Sequence, residues 1–133
     1  MKKLVIFGAV ILSTLSAYSF KNPQIRACHL VGGQFFVANS QFDQIGLCKI
    51  GLSVVGAIDL LNRDAQIEYP ASIYNYVRGI QVCNQLNHTT LKTTEGEIIY
   101  VCQYSDGSLV DIETLASGKN SGRNLELNKV LGL

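Results

Sequence analysis

The chain has 133 residues, 47% hydrophobic and 16% charged, with a formal net charge of +1. That composition excludes a disordered chain, and the length fits one domain. Near-neutrality with scattered basic residues excludes the positive field that nucleic acid or anionic lipid requires.

At the N-terminus, Lys2 and Lys3 precede the apolar run Leu4 to Leu12, and small residues follow at Ala17 and Ser19. This is the layout of a secretory signal peptide, residues 1–19, cleaved after Ser19. The apolar run is far shorter than the ~20 residues a membrane span needs. Cleavage removes two lysines and takes the formal charge to −1. No later segment is apolar enough to cross a membrane, so no transmembrane span is expected after cleavage. No cysteine lies near the cleavage point, which speaks against a lipid anchor. The double lysine and plain apolar run look bacterial, and the expected location is the periplasm or the medium.

The remainder reads as two copies of one pattern, residues 20–68 and 69–133. In the first copy Asn22 caps a short helix, Pro23 starts it and Gly32-Gly33 stops it. Strand signals follow at Gln34 to Ala38 and Ile45 to Ile50, then a helical segment at Ala57 to Asp64. In the second copy Pro70 and Gly79 stand at the same offset as Pro23 and Gly32, with Asn75 in the place of Cys28. Ile73, Tyr74, Tyr76, Val77 and Ile80 repeat at helical spacing and form a face for core packing. Strands are expected at Ile80 to Leu86, Thr90 to Thr94 and Glu97 to Ser105. In the last, Ile98, Tyr100, Cys102 and Tyr104 share one face. Glu95-Gly96 and Asp106-Gly107 turn the chain before and after it. A short helix follows at Val110 to Gly118, where Ile112, Glu113 and Leu115 line up with Ile58, Asp59 and Leu61. Residues 118–122 read as a flexible loop, and the tail after them as a short strand or helix. Neither copy is large enough to bury a good core alone. The predicted fold class is therefore α+β: two related helix–β-hairpin–short-helix units forming one compact domain with an antiparallel sheet, helices on one face.

Cys28, Cys48, Cys83 and Cys102 all lie after the signal peptide. An even number of cysteines in an exported chain favours disulfides, and three pairings are open. If each copy folds locally, the pairs are Cys28–Cys48 and Cys83–Cys102, each closing a loop worth roughly 3 kcal/mol in the chain-entropy view. A zinc site wants paired ligands such as C-x-x-C. Here the cysteines are isolated and the histidines are only His29 and His88, so neither metal nor cofactor is expected. Cys28-His29 invites a thiol-enzyme reading. A catalytic cysteine needs a free thiol and a base held nearby in space, and adjacent residues on a helix point in different directions.

Asn22-Pro23, Cys28 and Gly32-Gly33, followed by Gly46 and Cys48, resemble the opening and the strand of the small secreted bacterial domain family that carries the label hemolysin. Cys102, the Ser105 to Ser108 turn and the segment Asp111 to Gly118 resemble its strand, turn and acidic segment a second time. The chain departs from the family in having no tryptophan, in lacking its later cysteines, and in placing Cys83 within the second copy's first strand. The resemblance implies a diverged tandem pair and an exported, cysteine-linked module, and it brings no catalytic residues.

No G-x-S-x-G elbow, phosphate loop, H-E-x-x-H or dinucleotide fingerprint occurs. The expectation is a non-enzymatic exported module whose partner is an unknown protein or cell-envelope component. The alternatives are a membrane-active protein, which lacks the long basic amphipathic stretch such proteins use, and a secreted protease inhibitor presenting the Asp106-Gly107 turn. Asn87-His88-Thr89 is a glycosylation sequon that matters only in a eukaryotic secretory pathway, and it reads as a solvated loop.

Overall fold

The computed structural model describes residues 22–65 and 69–133; residues 1–19, expected to be a signal peptide, lie outside them. Helix α1 (Pro23–Leu30) leads into strands β1 (Gln34–Asn39), β2 (Gln44–Ile50) and β3 (Ser53–Gly56), then helix α2 (Ala57–Ala65). Helix α3 (Ala71–Val77) opens the second series: β4 (His88–Thr93), β5 (Ile98–Gln103), β6 (Leu109–Asp111) and α4 (Ile112–Ser117). The chain ends in α5 (Leu125–Leu131).

The start of α1 follows from its sequence. The Asn22 side chain accepts from the Ile25 N–H at 3.4 Å, and Pro23 occupies the first helical position, where its missing N–H costs nothing. The end is a paired-carbonyl cap. Gly32 takes φ +78°, its N–H donates to the His29 carbonyl, and the Gly33 N–H donates to the Cys28 carbonyl. The close of α3 repeats this bond for bond: Gly79 takes φ +78° and donates to Tyr76, and Ile80 donates to Asn75. Its start is built differently. Pro70 is the cap residue itself and offers no side-chain bond, so the carboxylate of distant Asp106 accepts from the Ala71 N–H at 2.9 Å.

Each series has a third strand after its hairpin. Both third strands, β3 and β6, are too short for their pattern to stand out in the sequence. They pair with each other at Val55 opposite Val110, and β1 pairs with β4 at Ala38 opposite Thr93 and Asn39 opposite Lys92. With these two junctions the expected antiparallel sheet closes into a barrel in the order β1-β2-β3-β6-β5-β4. The segment Ile80 to Leu86, expected as a strand, is irregular and passes into a 3-10 turn at Gln85–Asn87. Cys83 therefore lies in a loop, not in a strand. The tail is helical.

Closure buries an inner face of the sheet, and the helices cover part of its outer face. Inside the barrel Ala38, Leu47, Leu91, Val101 and Leu109 are buried, joined by Phe36, Ile45, Val54 and Ile99. Outside it, Cys48, Ile50, Val55, Cys102 and Val110 pack under the helices with Leu60, Ile73, Tyr76, Leu115 and Leu127. Burying each large aliphatic side chain contributes about 2 kcal/mol. The helix that follows β3 places Leu60 in this core, and the one after β6 places Leu115 there. The two helices thus correspond one residue away from the expected match of Leu61 with Leu115.

Candidate ligand cleft

The strand register decides which side chains reach the two barrel mouths. At one mouth, Gln34, Lys49 and Val54 stand in line across β1, β2 and β3, and Asp111 follows on β6. The β4–β5 hairpin, carrying Glu95 and Glu97, projects beside them as a lip. The result is an open cleft of about 1050 Å³. Half-buried Phe36, Val54 and Ile99 form its apolar floor, and Gln34, Lys49, Glu95, Glu97 and Glu113 line its polar rim. The cleft runs into the seam between β1 and β4, because these strands pair over only two residues each.

A polar cluster braces the β6 side of this mouth. Asp111 accepts from the Thr114 N–H and hydroxyl, both at 3.2 Å, and so caps α4. Burial raises the Asp111 carboxyl above its ordinary range, with the Thr114 bonds and the Arg123 charge pulling the other way. Arg123 lies 3.5 Å from both Asp111 and Glu113 and donates to the Thr114 hydroxyl. Fully buried Asn124 accepts from the Ser53 hydroxyl at 2.7 Å and donates to the carbonyls of Thr114 and Gly118. These bonds tie α4 and the tail to β3, so the cluster is scaffold around the cleft.

The opposite mouth is smaller, about 270 Å³, and Asp59 lies on it. Asp59 is 2% exposed and accepts from the Leu109 N–H at 3.0 Å and the Ser72 hydroxyl at 3.1 Å. Its carboxylate occupies the space a Cβ on Gly56 would need. Burial pushes its pKa up to about 7, against hydrogen bonds from Leu109 and Ser72 that lower it. At the first mouth the matching bond runs from the Val54 N–H to the Thr114 hydroxyl. At each mouth, then, a residue in the first turn of one series' closing helix accepts from the third strand of the other series.

All four cysteines are in disulfides, Cys28–Cys48 and Cys83–Cys102, with Cα separations of 5.6 and 5.8 Å. The first joins α1 to β2. A Cβ on Gly33 would overlap Cys48 Sγ, which explains the second glycine of the Gly-Gly pair. The second joins the loop before β4 to β5. Cys48 and Cys102 hold matching positions, opposite Val55 and Val110 respectively. The other end of the bridge has moved from the helix to the loop. With Cys28 oxidised and buried beside exposed His29, the pair has no thiol nucleophile, and the thiol-enzyme reading is set aside. The Asp106-Gly107 turn also differs from a free inhibitory loop. Asp106 is bound to the Ala71 N–H and to Ser108, bonds that outweigh its partial burial and hold its carboxyl below the ordinary value.

The helix-boundary residues Asn22, Pro23, Gly32, Gly33, Pro70 and Gly79 lie away from the cleft. Among the described residues no group of three or more histidine, cysteine or acidic side chains is placed to hold a metal ion, and no helix is long and apolar enough to cross a membrane. Sequence reasoning missed Asp59, Thr114, Arg123 and Asn124 as structural polar groups. The one available signal was a charge inside an otherwise apolar segment, at Asp59. No family model, no curated protein and no solved structure matches the chain. The two disulfides fit an oxidising compartment outside the cytoplasm.

Proposed function

We propose that this protein is an exported, non-enzymatic binding module of the bacterial periplasm or medium, and that its ligand sits in the cleft at the barrel mouth. The observation that carries this reading is the cleft itself: an apolar floor with polar groups around it, the usual composition of a binding site. It opens on a barrel held by two disulfides, so the site is presented on a pre-organised support. The acidic groups with raised pKa values, Asp59 and Asp111, are both engaged in hydrogen bonds that hold the fold together. The resemblance of Asn22 to Cys48 and of Cys102 to Gly118 to the hemolysin-labelled family supports the same reading of a diverged tandem, exported module.

The test is titration of the isotope-labelled exported chain with Nile red, a neutral apolar probe, followed by amide chemical shifts. Shifts concentrated at Phe36, Val54 and Ile99 are expected. Shifts scattered over the surface would remove the site. Turnover on a hydrolase panel, abolished by one point substitution, would remove the non-enzymatic part.

A further inference from the structure

The barrel is closed, yet one stretch of strand edge is unpaired. Among the described residues β1 pairs with β2 along its whole length, while on its other side only Ala38 and Asn39 meet β4. Gln34 to Val37 therefore present a bare edge, and this edge borders the cleft. Bare edges are templates for another strand, and natural proteins usually cover them. Across the cleft the lip carries Glu95 and Glu97, both exposed, with no ion-pair partner among the described residues. The nearby Asp111 and Arg123 largely offset each other, so with Glu113 the rim keeps a net acidic balance against Lys49 and against Lys92, whose side chain runs beside Gly96.

We propose that the cleft takes an extended segment of a partner protein, with alternating apolar and basic side chains, added as a strand along the free edge of β1. This rests on the binding-module reading and specifies its ligand. Strand addition supplies affinity through backbone hydrogen bonds, and the alternation supplies selectivity. Side chains of one parity enter the mouth, where the lip at Glu95 and Glu97 stands beside the floor, since Glu97 and Ile99 share a face of β5; those of the other parity lie on the outer side, where Ile98 and Tyr100 are exposed.

The experiment uses three capped hexapeptides with the exported chain: alternating valine and lysine, alternating valine and glutamate, and the valine–lysine peptide methylated at every backbone nitrogen. The valine–lysine peptide is expected to bind, with amide shifts at Gln34 to Val37 and Glu95 to Ile98. Backbone methylation removes the donors and weakens binding about tenfold or more, the effect of losing one or two net hydrogen bonds. The glutamate peptide binds about threefold more weakly, as for exposed ion pairs. The double variant Glu95→Gln/Glu97→Gln, at exposed positions that do not threaten folding, removes that preference. Equal binding of the parent and methylated peptides, or shifts elsewhere, would overturn strand addition. If Nile red binds in the cleft and the peptides do not, the strand proposal fails and the binding-module reading stands; if neither binds there, both fail.

Discussion

Asp59→Asn is the substitution whose effect the structure specifies most fully. A carboxyl that titrates near 7 when folded, against 3.8 as a free side chain, is protonated in the native state over a range where the unfolded chain is ionised. The folded state then binds more protons than the unfolded state between about pH 4 and 7, so stability falls as pH rises through that window. At about 1.4 kcal/mol per pH unit the total is on the order of 4 kcal/mol. The cause is desolvation of a charge at a residue 2% exposed. Asparagine keeps the shape, and its amide oxygen, in the place of the carboxylate oxygen that takes both bonds, accepts from the Leu109 N–H and the Ser72 hydroxyl without the charge. Urea unfolding of both proteins from pH 4 to 8 at fixed ionic strength is the assay. Near pH 4 the two should differ by well under 1 kcal/mol. At pH 8 the variant should be more stable by about 4 kcal/mol, a midpoint shift of about 2 M urea. Asp111 contributes to both proteins in the same direction, so the difference between the curves isolates Asp59. A wild-type curve parallel to that of the variant would show that the Asp59 carboxylate is well solvated or well paired when folded, and the reasoning would fail.

Replacing Cys83 and Cys102 together by alanine is expected to cost about 3 kcal/mol and to speed amide exchange in residues 80–87, which that bridge ties to β5; unchanged exchange there would mean the loop is held by other contacts. Tyr104→Phe should be neutral or stabilising by up to about 1 kcal/mol in thermal melts, because the buried Tyr104 hydroxyl has no hydrogen-bond partner among the described residues. A clear loss of stability would reveal a partner for it. Asn124→Ala removes the partner of the Ser53 hydroxyl and of two carbonyls and should cost about 3 kcal/mol or more, read from denaturant midpoints. Gly33→Ala should slow formation of the Cys28–Cys48 bridge during oxidative refolding, since its Cβ overlaps Cys48 Sγ; an unchanged oxidation rate would count against the close approach.

The helix ends were legible because they are local. The pairing of Pro23 with Gly32 and of Pro70 with Gly79 marks two helices that close with the same hydrogen bonds. Strand β5 was legible by alternation and β1, β2 and β4 as short strand-like runs between turns, and the cysteine pairs by the economy of local loops. The segment Ile80 to Leu86 misled because its β-branched and apolar residues have strand propensity but no neighbouring strand to pair with. Val82 is 80% exposed and Leu86 92% exposed, and the Cys83–Cys102 bridge holds the segment in place of a ladder. The two third strands were invisible at four and three residues, lengths at which a period of two carries no information. The cleft was invisible for the same reason, since its mouth exists only once those strands close the barrel.

By itself the sequence determined the local grammar: which short segments turn, where helices start and stop, and which residue types are available for cross-linking. Those features rest on interactions within a few residues, such as a capping side chain, a proline's fixed φ or a glycine at positive φ. The tertiary structure decided the closure at Val55–Val110 and Ala38–Thr93, the burial of Asp59 and the meeting of Gln34, Lys49, Asp111 and Arg123 around one opening. A backbone hydrogen bond between strands far apart in sequence carries no side-chain signature. It forms because closing the barrel pairs edges that would otherwise lie bare and buries the inward-facing side chains of the strands.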